Sequence, residues 1–318
     1  MREAAFVKQN KDKWMAFERA MDSKSTINPD HLADLYIQLT NDLAFAQTYY
    51  KGSKTLLYLN SLASQAHQNI YKNKKESGNR IGRFFLKEFP LFFAGHQMTL
   101  LYAFLIFMAA VFIGTISSLY DDSYVRLILS DAYVNMTLEN IKNGNPTGVY
   151  QDAGQLSMFL AITINNIRVG MLCFAAGLLT SIGSAYILFR NGVMVGAFFT
   201  MFYLENVGLE SWSVIMLHGT IELSIIVICG AAGMVMGNAI IFPKTYSRRL
   251  SFIQGAKKGV KIVMSTVPLF VVAGFIEGFV TRYAFMPAVI KYSIVTLSAA
   301  IILGYYVYYP RYLKRIYG

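Results

Sequence analysis

The sequence has little charge and little sulfur. Charged residues make up 15% of its 318 positions, while hydrophobic ones make up 55%. A soluble domain of this length breaks its apolar stripes with charge more often than that. Cysteine occurs only at Cys173 and Cys229, both inside apolar runs and not in a Cys-x-x-Cys arrangement. No disulfide framework and no zinc site is expected from them; they read as buried thiols acting as small hydrophobes. Acids are the scarcer sign, 18 against 29 Lys and Arg, for a net charge of +11. No basic stripe carries interleaved stacking aromatics, so nucleic acid is not an expected partner. A phosphate-cradling glycine-rich loop is missing too, which excludes an ATP-driven motor within the chain, and no cofactor is expected. The polar N-terminal stretch lacks an early apolar core. It reads as having no signal peptide, with membrane insertion left to later helices.

What is present is apolar length. Several runs exceed about 18 residues, the threshold for a transmembrane helix. The expectation is an all-α polytopic membrane protein with about six transmembrane helices and an N-terminal cytoplasmic helical subdomain. Residues 1–97 form that subdomain. Leu32, Leu35, Tyr36, Leu39, Leu43 and Ala46 recur at helical spacing after the turn signal Asn28, Pro29, Asp30. After the break at Lys51, Gly52 and Ser53, a second helix carries Leu56, Leu59, Leu62, Ala63, Ala66 and Ile70 on one face. A basic hinge at 72–83 leads to an apolar segment, 84–93, that reads as an interfacial helix closing the subdomain.

Residues 98–318 read as the transmembrane domain. Its spans are placed at 99–119, 169–189, 193–204, 214–241, 262–280 and 292–309. Residues 156–163 are too short to cross alone and read as a re-entrant or interfacial piece. Gly144, Asn145 and Pro146 break any helix there, and Arg190, Asn191 and Gly192 read as a tight connection. The N-terminal region, the 242–261 segment with six basic residues and no acid, and the tail are basic; the 121–155 and 205–210 segments are acidic. Six crossings put the basic segments on one side and both termini in the cytoplasm, in the bacterial inner membrane, with Arg282 and Lys291 as exceptions. The bilayer is therefore one partner.

Ionisable groups in such spans are costly, at least ~2.5–3.5 kcal/mol at mid-helix, and by default functional. His218 and Glu222 are four apart and share a helix face. At ~1.5 Å per residue, Arg168, His218, Glu222 and Glu277 come out at similar depth in the outer third of the bilayer, with Asn165 and Asn166 beside Arg168. One reading is a structural network in which Arg168 pairs with Glu222 or Glu277. Another is a cavity or proton and ion site open to the outside. A metal site built from His218, Glu222 and Glu277 is a third, since one imidazole with two carboxylates binds zinc or manganese. The pairs Gly192/Gly196, Gly233/Gly237 and Gly274/Gly278 are small-xxx-small patterns that mark close helix approach, and Gly219 adjoins His218.

These runs resemble a family. Asn165-Asn166-Ile167-Arg168, His218-Gly219-Thr220-Ile221-Glu222-Leu223 and Phe275-Ile276-Glu277-Gly278-Phe279-Val280-Thr281 are similar to the signature runs of the stage II sporulation protein M family. Tyr36 with Asp42, Leu43 and Ala44, and Tyr58, Leu59 and Asn60 followed by Ala66, His67 and Tyr71, resemble its N-terminal helices. Arg282 stands where that pattern has a proline. The resemblance implies no enzyme activity. It implies an integral membrane component that works with other membrane or envelope proteins, and its motif positions fall here on Asn166, Arg168, His218, Gly219, Glu222 and Glu277. A transporter or channel using the polar cluster is the alternative, and a homo-oligomer stays open. An intramembrane metal-dependent enzyme is less favoured. His218-x-x-x-Glu222 resembles one motif of membrane-embedded CAAX-type proteases, but their paired-glutamate motif is missing.

Overall fold

The structure is a computed structural model that describes residues 1–22, 29–71, 80–144, 155–281 and 286–317. Among these the regular elements are all helical, and they divide into two compact units, Met1–Arg80 and Ile81–Gly318. The hinge at 72–79, the break at Asn145 and Pro146, Asn28 and Arg282 lie outside the described residues.

The first unit has three helices: α1 (Glu3–Asp22), α2 (Pro29–Tyr49) and α3 (Lys54–Tyr71). Phe6, Trp14, Phe17, Leu39, Ala46, Leu59, Leu62 and Ala66 are buried together. Their helical spacing is the reason these segments fold as amphipathic helices. Gly52, at φ 77°, makes the turn between α2 and α3, in a region where a side chain is strained. Polar groups are tied in one at a time at the rim of this core. Trp14 donates its indole N–H to Asp42 at 2.8 Å, and the Tyr58 hydroxyl donates to Glu18 at 3.3 Å. Burial first, and then the Glu18 carboxylate, push the Tyr58 hydroxyl above its ordinary pKa.

The second unit starts one residue into α4 (Arg80–Tyr120), followed by α5 (Asp122–Leu129), α6 (Asp131–Lys142), α7 (Gln155–Ala175), α8 (Thr180–Leu204), α9 (Gly208–Ile241), α10 (Arg248–Val280) and α11 (Ala288–Tyr317). Among the described residues five continuous helical stretches are long and apolar enough to cross a membrane. The second of them, Phe159–Leu204, reverses direction inside. α7 lies along α9 in ascending register: Asn166 meets Glu222, Gly170 meets Cys229 and Gly177 meets Gly233. A tight turn, Ala176–Leu179, and a positive φ of 71° at Thr180 then send α8 back, with Ser184 at Gly233 and Leu188 at Gly230. Among the described residues α4 and α8 therefore run parallel to each other, as do α7 and α9, and α9 runs against α8 and α10.

This corrects the sequence-based spans at three places. The connection is at 176–180, and Arg190, Asn191 and Gly192 sit inside α8. Residues 156–163 are not a separate piece but belong to α7. The apolar segment 84–93, assigned from sequence to the N-terminal subdomain, belongs to the second unit, whose boundary is at residue 81 instead of 98. Phe89 and Phe93 are fully buried there and meet the Tyr306 ring edge-on at 5.9 and 5.8 Å. A core contact of that kind outweighs an interfacial position, because each aromatic ring buries a large apolar area.

α9 is the central helix: 67% of its most apolar window is buried, against 22% for α4 and 17% for α11. It reaches its neighbours through small residues. A Cβ at Gly233 would lie 2.7 Å from the Cys173 carbonyl oxygen and 2.8 Å from that of Phe174. Without hydrophobic drive between helices in lipid, such close backbone contact is what holds them.

Candidate functional site

His218 lies ten residues into α9, about 15 Å from its start and far from the Thr180 turn. Glu222 follows one turn later on the same face. α10 supplies Glu277 from its last turn, which is wound as a wide π turn, Ile276–Val280, closed by the Thr281 N–H on the Ile276 carbonyl at 2.9 Å. Such a single wide turn inside an α-helix is a frequent feature of functional sites. Here it sets both Glu277 and Thr281 against His218. His218 Nε2 lies 3.7 Å from Glu277 Oε1, and His218 Nδ1 lies 3.1 Å from Thr281 Oγ1. The Glu222 and Glu277 carboxyl groups come together beside His218. From α7, Asn166 donates its amide to Glu222 Oε1. One ligand atom each from His218, Glu222 and Glu277 falls within 4.8 Å of the other two.

These groups line a cavity of about 610 Å³, walled by α5, α6, α7, α8, α9 and α10. Tyr133, Phe198 and Met216 form part of its apolar side. Burial pushes the Tyr133 hydroxyl above its ordinary pKa, partly offset by a hydrogen bond with Thr137. At Gly219 an added Cβ would meet only Met216 and Ile215, at 3.6 and 3.8 Å. Packing does not demand glycine there. Its missing side chain leaves room beside His218.

Residues 103–282 match the family model described as Stage II sporulation protein M, and residues 4–72 match one described as Domain of unknown function (DUF8413). The chain belongs to the stage II sporulation protein M family. No curated protein and no solved structure matches it. The sporulation protein M match begins at residue 103, after the N-terminal helices, which carry the separate match of unknown function.

All seven of the candidate residues read from sequence lie within the stretch matched to the sporulation protein M family. The structure brings six of them to one cavity: Asn165, Asn166, His218, Gly219, Glu222 and Glu277. Arg168 is the exception. Its side chain is exposed, it does not line the cavity, and it makes no hydrogen bond or ion pair with either glutamate. The reason is helical geometry: two residues past Asn166 is about 200° around α7, the opposite face. The expected Arg168 pairing with Glu222 or Glu277 therefore does not occur. Thr281, by contrast, joins the site without having been singled out. Its position four residues after Glu277 was the available signal.

Proposed function

We propose that this sporulation protein M family member is a non-enzymatic component of a cell-envelope complex in the bacterial cytoplasmic membrane, recognising other membrane or envelope proteins. The supporting observation is that one chain joins a membrane unit to a second unit with its own aromatic core and an exposed polar surface. Ile37 and Leu57, 56% and 67% exposed on that unit, are apolar side chains without cover. Photo-crosslinkers placed at these positions in the full-length chain should give discrete adducts in cells. Adducts absent at both positions, with the protein correctly inserted, would remove this reading; self-adducts would point to a homo-oligomer.

Both termini are proposed to be cytoplasmic. With the reversal at 176–180, the basic segments 80–87, 244–261 and 311–315 share one side, and the acidic 121–142 and 205–210 segments share the other. Cysteines introduced at exposed positions in the 242–247 connection should be protected from impermeant reagents in intact cells, and those at 121–142 should react.

A second reading is transport, favoured by the cavity that reaches the buried His218 and Glu277. Proteoliposome flux of protons or small cations, abolished by Glu277→Gln without loss of the folded protein, is its expected signature. Flux equal in wild type and variant would sink it.

A further inference from the structure

We propose that His218, Glu222 and Glu277 form a binding site for a divalent transition-metal ion of the zinc type, with one coordination position open to the cavity. This goes beyond the envelope-complex reading and does not depend on it.

The argument starts from Thr281. Its single hydroxyl hydrogen is directed at the Ile276 carbonyl, 3.2 Å away, so its oxygen accepts from the group at 3.1 Å on the other side, His218 Nδ1. Nδ1 then carries the imidazole hydrogen, and in the neutral ring the lone pair is on Nε2. That lone pair faces Glu277 Oε1 at 3.7 Å. The separation is long for a hydrogen bond. It is close to the ~3.4 Å that two donors at ~2.1 Å from one tetrahedral ion must keep. Glu277 itself is 6% exposed, and its second oxygen, Oε2, is buried with no hydrogen-bond partner among the described residues. A buried carboxylate oxygen lacking a partner is costly, and Glu277 is one of the residues that line the cavity. Glu222 completes the set within 4.8 Å.

The surroundings have the form that metal ligands require. A ligating histidine donates its other nitrogen to an oxygen that fixes the tautomer, and ligating carboxylates are themselves hydrogen-bonded. Thr281 does the first and Asn166 the second. One imidazole and two carboxylates from three turns of two helices suit zinc or manganese, whereas calcium takes six to eight oxygens. A dication also neutralises two carboxylates that are otherwise expensive to keep in a membrane interior.

The test uses the full-length chain in detergent, stripped with a chelator and then titrated with cobalt(II) and zinc(II). The expected result is one cobalt ion per chain with visible d–d absorption, bleached by an equivalent amount of zinc. His218→Ala and Glu277→Gln should abolish the band. Thr281→Val, which leaves all three ligands in place, should weaken binding by about 10–100-fold, the usual effect of removing a partner that orients a ligand. Arg168→Ala should leave the titration unchanged. If His218→Ala fails to fold, the Thr281→Val titration alone decides. No cobalt band in the folded wild type, or a band indifferent to Thr281→Val, would overturn the site. Neither result touches the crosslinking test of the envelope-complex reading.

Discussion

The two units bury polar groups by opposite rules. In the N-terminal unit the core is aromatic and aliphatic, and its polar side chains are paired singly at the rim, as with Trp14 and Asp42. In the membrane unit the rim is apolar, and His218, Glu222 and Glu277 are gathered at one interior place. Water explains the difference. It drives apolar side chains together in the first unit and solvates stray charges at the surface. In lipid it does neither, so close backbones hold the helices and any polar group must find its partner inside.

The sharpest way to break this comparison is to add volume where helices touch. Gly233→Val places side-chain carbon against the carbonyls of Cys173 and Phe174 and against Ser184. The neighbours are largely backbone and cannot move aside. The loss should exceed the ~1–3 kcal/mol of ordinary overpacking and appear as aggregation in detergent size-exclusion runs. A monodisperse Gly233→Val protein with unchanged melting would show that backbone contact does not hold the bundle.

Removing volume is the matching test in the other unit. Trp14 is 3% exposed and central to its core. Trp14→Ala should cost about 3–5 kcal/mol, the range for deleting a buried large aromatic. The loss should be confined to α1–α3, read as increased protease sensitivity of residues 1–80 while the membrane unit stays intact. A comparable loss of the membrane unit's thermal stability would contradict the independence of the two cores.

A smaller effect separates two residues only two positions apart. Asn166→Ala removes the donor on Glu222 and leaves a half-buried carboxylate oxygen without it, a cost of about 1–3 kcal/mol. Arg168→Ala changes an exposed side chain and should stay within about 0.5 kcal/mol. Detergent melting curves of both variants give the order directly. Equal losses would return Arg168 to the network.

That pair also shows what could be read from sequence. Helical character, the apolar spans and the meeting of His218, Glu222 and Glu277 follow from period and depth counting. Depth says nothing about the azimuth of a helix, so Arg168 was placed with its neighbours. The reversal at 176–180 was hidden because Ala176-Gly177-Leu178-Leu179-Thr180 is apolar, with no polar punctuation, as a turn packed inside a bundle is free to be. Arg190-Asn191-Gly192 carried the opposite false signal. Asn191 turns its amide back onto the Ile187 carbonyl of its own helix at 2.8 Å, and Gly192 admits α4, with Phe107 O only 2.6 Å from where a Cβ would stand. Residues that make a loop in water make a helix contact here.

The smallest expected effect lies where the two environments meet, at the start of α5. Asp121 is fully exposed and caps the helix: its Oδ1 accepts the Ser123 hydroxyl at 2.7 Å and the Ser123 N–H at 2.9 Å. Those two bonds, the hydroxyl first, hold its carboxyl below the ordinary aspartate value of 3.8. A lowered native pKa means the cap's contribution is complete above the unfolded value and is lost as pH falls through the native one. Amide-exchange protection at Ser123 should therefore be flat from neutral pH down to about 4 and decline only in stronger acid. Asp121→Asn keeps the acceptor and should remove the acid decline, whereas Asp121→Ala should lose the protection at every pH. The overall melting temperature should not move in either variant, because water replaces what an exposed cap supplies. If Asp121→Ala instead lowered it as far as Asn166→Ala, solvent exposure would not be what separates the cheap polar contacts of this molecule from the costly ones.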